Sequence, residues 1–183
     1  MAAASSVDER GSALPTDHLA AYTRANRLGS STYPMKPIFV LNGPNLNMLG
    51  LREPSVYGAD TLKDIETRCV AHAKNAGFKI DFRQTNSEGE LVTWIHEARD
   101  KASGIALNAG AYTHTSIALH DALKAVELPA VELHLSNVHQ REAFRHHSFI
   151  APAVNGVICG FGVNSYELAI SALAAIISSN KKG

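Results

Sequence analysis

From residue 37 onward the chain alternates between short apolar runs and amphipathic stretches, and this alternation limits the possible folds more than any other feature. Runs of four to six apolar residues have the length of strands covered on both faces, and an amphipathic stretch between successive strands is what a parallel crossover requires. Strands are predicted over 37–41, 78–82, 104–107, 130–135 and 157–161, each bounded by glycine, proline or asparagine. In the first intervening helix Leu62, Ile65, Cys69 and Ala73 recur at three- and four-residue steps, and Leu91, Trp94, Ile95 and Ala98 repeat that stripe in the second. A third helix is predicted from near Thr113. A fourth spans about 165–177, where alanine and isoleucine occupy almost every face, so it is expected to be deeply packed or to lie at an interface. The second strand sets Phe78, Ile80 and Phe82 against Lys79, Asp81 and Arg83, which buries one face only and suits a sheet edge.

These elements predict an α/β fold with a five-stranded parallel sheet, in the flavodoxin-like order 2-1-3-4-5, carrying helices on both faces. With 183 residues, 45% of them hydrophobic, the chain has material for one well-buried core, so residues 35–183 are expected to form a single α/β domain. Residues 1–34 are rich in alanine and serine, carry charges of both signs and lack strong periodicity, and are expected to be a flexible extension. Met35, directly before the first strand, is a candidate natural start, and deleting 1–34 is expected to leave activity intact. Basic and acidic residues balance, 17 against 17, so overall charge draws the molecule to neither nucleic acid nor an anionic membrane. No apolar run reaches the roughly 18 residues of a membrane span and no secretory block opens the chain, so the expected location is the cytoplasm. Cys69 and Cys159 are far apart and fit buried reduced thiols better than a disulfide framework.

In an open parallel sheet, ligands bind beyond the carboxyl ends of the strands. Here those ends are polar: Asn42-Gly43-Pro44-Asn45-Leu46-Asn47 follows the first strand and Asn108 to His114 the third, while the fourth carries Glu132, His134, Ser136 and Asn137. Asparagine, glycine and proline also simply make turns; the convergence of three such ends on one rim points further. Glu132 and His134 are two apart in a strand and share a face. A carboxylate that accepts a hydrogen bond from one imidazole nitrogen sets the tautomer, favours the protonated ring and prepares the other nitrogen as a general acid; a buried histidine satisfied by its neighbour is the plainer alternative.

The loop 50–58, glycine at each end and proline at its centre, reads as a lid. Within it Tyr57 is a weak base unless a guanidinium such as Arg52 stabilises the phenolate, and both residues also fit an ordinary surface loop. His114 and Asp121, seven apart on the predicted third helix, are about two turns apart. His114 is expected near backbone N–H groups at the helix start, and Asp121 in a supporting, capping or subunit-contact role. Arg141 and Arg145 are four apart on a predicted short helix; either could pair with a substrate carboxylate, while one of them serves a solvated face with Glu142. His134, His139, His146 and His147 suggest no metal site, because they belong to different elements or diverge, and no cysteine or clustered carboxylate completes a ligand set.

Five segments, LNGPNLNMLG (41–50), REPSVYG (52–58), LNAGAYTHTS (107–116), VELHLSNVHQREAFRHHS (131–148) and GVICGFG (156–162), resemble in order and spacing the type II 3-dehydroquinate dehydratases, a likeness running from about residue 37 to 178. The resemblance implies a cofactor-independent hydro-lyase that removes water from 3-dehydroquinate by anti elimination through an enolate, in the shikimate pathway or in quinate breakdown. Carried over by position, Tyr57 is the implied base with Arg52 lowering its pKa, His134 the implied acid oriented by Glu132, and Asn45 the holder of a water at the enolate oxygen. Asn108, His114, Leu135, Ser136 and Arg145 are implied substrate-binding residues. Asp121 is implied to reach a neighbouring subunit's site, in a homododecamer built from trimers.

The type I mechanism requires a desolvated Schiff-base lysine. No lysine suits that role, since Lys79 alternates outward and the rest lie in helices, near turns or at the termini. Borohydride with substrate is therefore expected to leave the protein active. A phosphoacceptor module would want aspartates where Asn42 and Asn108 stand, and a flavin carrier a hydroxyl-rich phosphate loop in place of Gly43-Pro44-Asn45.

Overall fold

The structure, a computed structural model, describes residues 35–50 and 60–180. The expected extension 1–34 and residues 51–58 of the expected lid 50–58, with Arg52 and Tyr57, lie outside the described residues. Strands β1 (Ile38–Asn42), β2 (Ile80–Gln84), β3 (Gly104–Asn108), β4 (Ala130–His134) and β5 (Gly156–Cys159) form one parallel sheet in the order β2-β1-β3-β4-β5. Among the described residues four α-helices connect or follow them: α1 (Leu62–Asn75), α2 (Glu88–Lys101), α3 (Ile117–Val126) and α4 (Asn164–Asn180). This is the flavodoxin-like arrangement the alternating pattern predicts.

Alternation along each strand divides the core. Ile38, Val40, Ala106, Val131 and Leu133 pack with Ile65, Cys69 and Ala73 of α1 and with Ala169, Ile170 and Leu173 of α4. Phe39, Leu41, Ile105 and Leu107 meet Leu91 and Ile95 of α2 and Leu119 and Leu123 of α3 on the opposite face. Of the expected stripes Ile65, Cys69, Ala73, Leu91, Ile95 and Ala98 are buried, while Leu62 and Trp94 are partly buried. β2 is an edge strand, but its second face is not simply solvated: Arg83, on the side covered by α2, lies 4.4 Å over the Phe39 ring while pairing with Asp81 (2.7 Å) and Glu97 (3.1 Å).

Three helices start on hydroxyl caps. Thr61 accepts from the Asp64 amide while the Asp64 carboxylate takes the Thr61 N–H, a reciprocal capping box, and Ser87 and Ser116 cap α2 and α3. The third helix does not start near Thr113 as predicted. Residues Gly110–His114 form a 3-10 turn, and the α-helix begins only at Ile117, because Ser116 has extended backbone and its hydroxyl accepts from the Leu119 N–H. His114 therefore does not share a helix with Asp121. The short helix expected to carry Arg141 and Arg145 is likewise two separate 3-10 turns, Val138–Gln140 and Ala143–Arg145, with Arg141 between them. Cys69 is fully buried and its thiol is pushed up to about 12 by that burial; Cys159, on the opposite edge strand, is only partly covered, and both are free thiols. Among the described residues no helix is long and apolar enough to cross a membrane.

Candidate active site

The sheet register brings the polar strand ends level. Asn42 of β1 stands opposite Gln84 of β2 and Asn108 of β3, and His134 ends β4 opposite Cys159. Beyond this rim opens a cleft of about 150 Å³. Its walls include Asn45, Asn108, His114, His134, Ser136 and Arg145, together with Leu135, Arg141 and the apolar Pro44, Leu46, Met48 and Leu49.

Two loops make the cleft's base by interlocking. Gly43 donates its N–H to the Asn108 carbonyl at 2.8 Å, and a Cβ on Gly43 would lie 2.4 Å from the Ala109 carbonyl oxygen, so a side chain is excluded there. Asn45 follows in the left-handed region with φ of 67°, which asparagine tolerates better than most residues. Its backbone N–H is held by the Asn86 Oδ1 at 2.9 Å, and Tyr112 donates its hydroxyl to the Asn86 carbonyl at 2.7 Å, so the loop after β2 braces both rims.

Glu132 is fully buried and His134 nearly so, with His134 Nε2 2.8 Å from Glu132 Oε1. Because a carboxylate only accepts, Nε2 carries the proton in this contact and Nδ1 is the other ring nitrogen. Thr113 also donates its hydroxyl to Glu132 Oε1, and Ser148 Oγ lies 2.9 Å from Oε2. Burial by itself raises the Glu132 pKa, but the hydrogen bonds from His134, Thr113 and Ser148 outweigh it and hold the carboxyl below its usual range. The charge sits inside the fold, behind the imidazole that lines the cleft.

His114 stacks beside His134, ring centroids 6.4 Å apart and planes 12° from parallel. Its Nδ1 meets the His147 carbonyl at 2.7 Å, so Nδ1 is the donor and neutral His114 carries its lone pair on Nε2. Burial lowers its pKa, helped by the positive charge of His134 and Arg145, against the hydrogen bond to His147. Arg145 Nε donates to Glu142 Oε2 at 2.8 Å, and Arg141 Nε is 3.5 Å from the same oxygen. Both guanidiniums line the cleft, so the choice between them is not made by position.

Of the sequence-predicted residues, Asn45, Asn108, His114, His134, Leu135, Ser136 and Arg145 line one cleft, and Glu132 stands behind His134. The Leu135 carbonyl is taken by the Gly162 N–H at 2.9 Å. Asp121 is exposed on α3 and is not part of the cleft wall. Arg52 and Tyr57 fall outside the described residues. The sequence reading did not single out Thr113 or Ser148 as donors to Glu132, nor Tyr166, whose hydroxyl contacts both Asn42 and Asn108. Among the described residues no three histidine, cysteine, aspartate or glutamate side chains group as metal ligands would; His139 and His146 come within 5.9 Å, but His146 Nε2 contacts the Arg141 carbonyl and His147 packs edge-on against Phe149.

Residues 36–174 match the family model described as dehydroquinase class II. The chain belongs to that family. It is 67% identical over 139 residues to the 3-dehydroquinate dehydratase of Rhizobium etli, covering 76% of this chain and 96% of that one, and 60% identical over 139 residues to 3-dehydroquinate dehydratase 2 of Pseudomonas aeruginosa, covering 76% and 94%. Among solved structures, type II dehydroquinase from Propionibacterium acnes superposes with a TM-score of 0.74 at 43% identity, covering 79% of this chain and 99% of that one. As a class II dehydroquinase, the chain carries four of its five sequence segments on strands and loops around one rim, the segment 52–58 lying outside the described residues.

Proposed function

We propose that this chain dehydrates 3-dehydroquinate to 3-dehydroshikimate by anti elimination through an enolate. The observation that carries the reading is the buried Glu132–His134 pair on the wall of a cleft that also presents Asn45, Asn108, His114, Ser136 and Arg145. A proton α to a ketone is weakly acidic, so the reaction calls for a strong base, stabilisation of the developing oxyanion and a positioned acid for the departing hydroxyl.

In this reading the Tyr57 phenolate, favoured by Arg52, takes the C2 proton, and the C–H electron pair passes into the enolate. A water held by Asn45 meets the enolate oxygen. The enolate then reforms the ketone as the carbon–oxygen bond breaks, and the hydroxyl leaves as water with the proton of His134, whose imidazolium Glu132 orients and stabilises. Arg145 takes the carboxylate; Asn108, His114, Ser136 and the Leu135 backbone take the remaining oxygens. His114 suits a ligand hydroxyl, because its tautomer offers an acceptor. The proposal needs no metal or cofactor, since proton transfers and fixed dipoles supply each step.

Asp121 is assigned to a neighbouring subunit's site in a dodecamer built from trimers. Its exposure, one turn from the 60% exposed Ile117, supports that placement. Residues 35–183 form the catalytic domain, with 1–34 dispensable, and the enzyme works in the cytoplasm in aromatic biosynthesis or quinate breakdown.

The test follows the rise in ultraviolet absorbance of the conjugated product from 3-dehydroquinate. Tyr57→Phe is expected to lose most turnover while still binding a substrate analogue. Near-normal turnover in that variant removes Tyr57 from the mechanism.

A further inference from the structure

Below the cleft a directed run of hydrogen bonds crosses three strand ends and one helix. Asn42 Nδ2 donates to the Arg83 carbonyl at 2.9 Å, the Tyr166 hydroxyl donates to Asn42 Oδ1 at 2.7 Å, Asn108 Nδ2 donates to the Tyr166 oxygen at 2.9 Å, and the Gly110 N–H reaches Asn108 Oδ1 at 3.3 Å. Asn42 and Tyr166 are buried and neither lines the cleft; Asn108 lines it.

Direction in this run follows from donor counting. A carbonyl accepts only, so the Asn42 amide must turn its NH₂ toward Arg83 and its oxygen toward Tyr166. That oxygen takes the phenol's single proton. The phenol oxygen can then only accept, and Asn108 must present its NH₂ to it. At the far end the Gly110 N–H demands the Asn108 oxygen, so both ends require the same amide orientation. Burial pushes the Tyr166 phenol above its usual range, so it keeps this proton at every working pH.

The geometry points to Tyr166, set by Asn42, as a positioning residue that holds the polarity of the Asn108 amide, so that the cleft meets its ligand there with an N–H donor and selects an acceptor oxygen. An amide nitrogen has two hydrogens, and Tyr166 takes one. The other serves the cleft, where a hydroxyl or carboxylate oxygen of a cyclic hydroxyketo acid is the matching partner. This rests on the reading of the cleft as the 3-dehydroquinate site.

The experiment compares steady-state dehydration of 3-dehydroquinate by the unsubstituted enzyme, Tyr166→Phe, Asn108→Ala and the double variant. Phenylalanine keeps the ring and removes both hydroxyl contacts. KM is expected to rise about tenfold in Tyr166→Phe, the scale of one lost hydrogen bond to a buried partner, with kcat within about twofold, since the contact is made alike in ground and transition states. In the Asn108→Ala background, Tyr166→Phe should add no further rise, because its target is gone. Asn42→Ala, which leaves Tyr166 and Asn108 in place but frees the phenol proton, should reproduce the rise. An unchanged KM in folded Tyr166→Phe or folded Asn42→Ala, or an equal further rise in the Asn108→Ala background, overturns the inference. An arm independent of folding of the variants and of turnover uses the ligand-free unsubstituted protein: nuclear Overhauser contacts should join an Asn108 side-chain amide proton to the Tyr166 ring, and their absence with both side chains assigned overturns it too. Failure of the unsubstituted enzyme to turn over 3-dehydroquinate would instead sink the assigned reaction, leaving the amide orientation to be decided by this last arm.

Discussion

Glu132 keeps its charge in a buried setting because His134, Thr113 and Ser148 all donate to it, and this makes it the residue through which pH acts on the fold. Its folded pKa lies below the ordinary 4.5, so the stability it contributes is complete above that value and drains away as pH falls through the lower folded one. Glu132→Gln keeps the shape and removes the charge. Urea unfolding from pH 7 downward should show a shallower acid limb in the variant, and kcat should fall about a hundredfold, because the imidazolium on His134 loses its stabilising partner. An acid limb as steep as the parent's would move the effect to other carboxylates. The pairing itself was legible as a two-residue spacing in a strand. The same parity rule places Asn42 and Asn108 on the other face, toward α4, where the Tyr166 hydroxyl meets both. Nothing local marks Tyr166 as polar, since it stands in an apolar helix and its partners are 124 and 58 residues away. Ser148 escaped notice for the same reason: its hydroxyl meets Glu132 from 16 residues downstream, across two 3-10 turns that no apolar period announces.

At the scale of elements, the central strands were readable as short continuous apolar runs buried on both faces, and the first two helices as stripes with a period of about 3.6. The reading ended the first and third strands at Leu41 and Leu107, one residue early, because asparagine looks like a turn former; the ladder continues since each asparagine amide is satisfied within the structure. The third helix was started too soon for a related cause. Thr113, Thr115 and Ser116 are all plausible caps, and Thr113 is drawn off to Glu132, leaving Ser116 to cap α3. Between elements, the loops after β1 and β3 interlock backbone to backbone at Gly43 and Ala109. A methyl at Gly43 would sit 2.4 Å from the Ala109 oxygen and 2.6 Å from its carbon, and backbone cannot yield as a flexible side chain does. Gly43→Ala is therefore expected to cost about 1–3 kcal/mol of stability, typical of overpacking, and to lower activity more than tenfold by parting Asn45 from Asn108. Calorimetry with the absorbance assay checks both, and an alanine variant of parental stability and rate would mean the loops separate at no cost.

At the scale of the whole molecule, the outward face of α3 sets an exposed apolar side chain beside an acid. Ile117 is 60% exposed, and Asp121, four residues on along the same face of α3, is exposed and away from its own subunit's cleft. A large apolar side chain beside an acid on an outward helix face fits a contact between copies, and a closed symmetric assembly would repeat that contact at every site. If Asp121 serves a neighbour's cleft, His134 and Asp121 of one working site come from different subunits. Asp121→Ala and His134→Ala homo-oligomers should then each be nearly inactive, for different reasons. Co-expressed in equal amounts, they should regain activity, because a site that draws its histidine from one variant and its aspartate from the other is intact. Random mixing makes about a quarter of the sites intact in a closed ring of this kind. Recovery near that fraction, measured on purified mixed assemblies against the parent, places Asp121 across an interface. Mixtures no more active than the two parents averaged would confine each site to one chain and leave the exposed face of α3 with some other role.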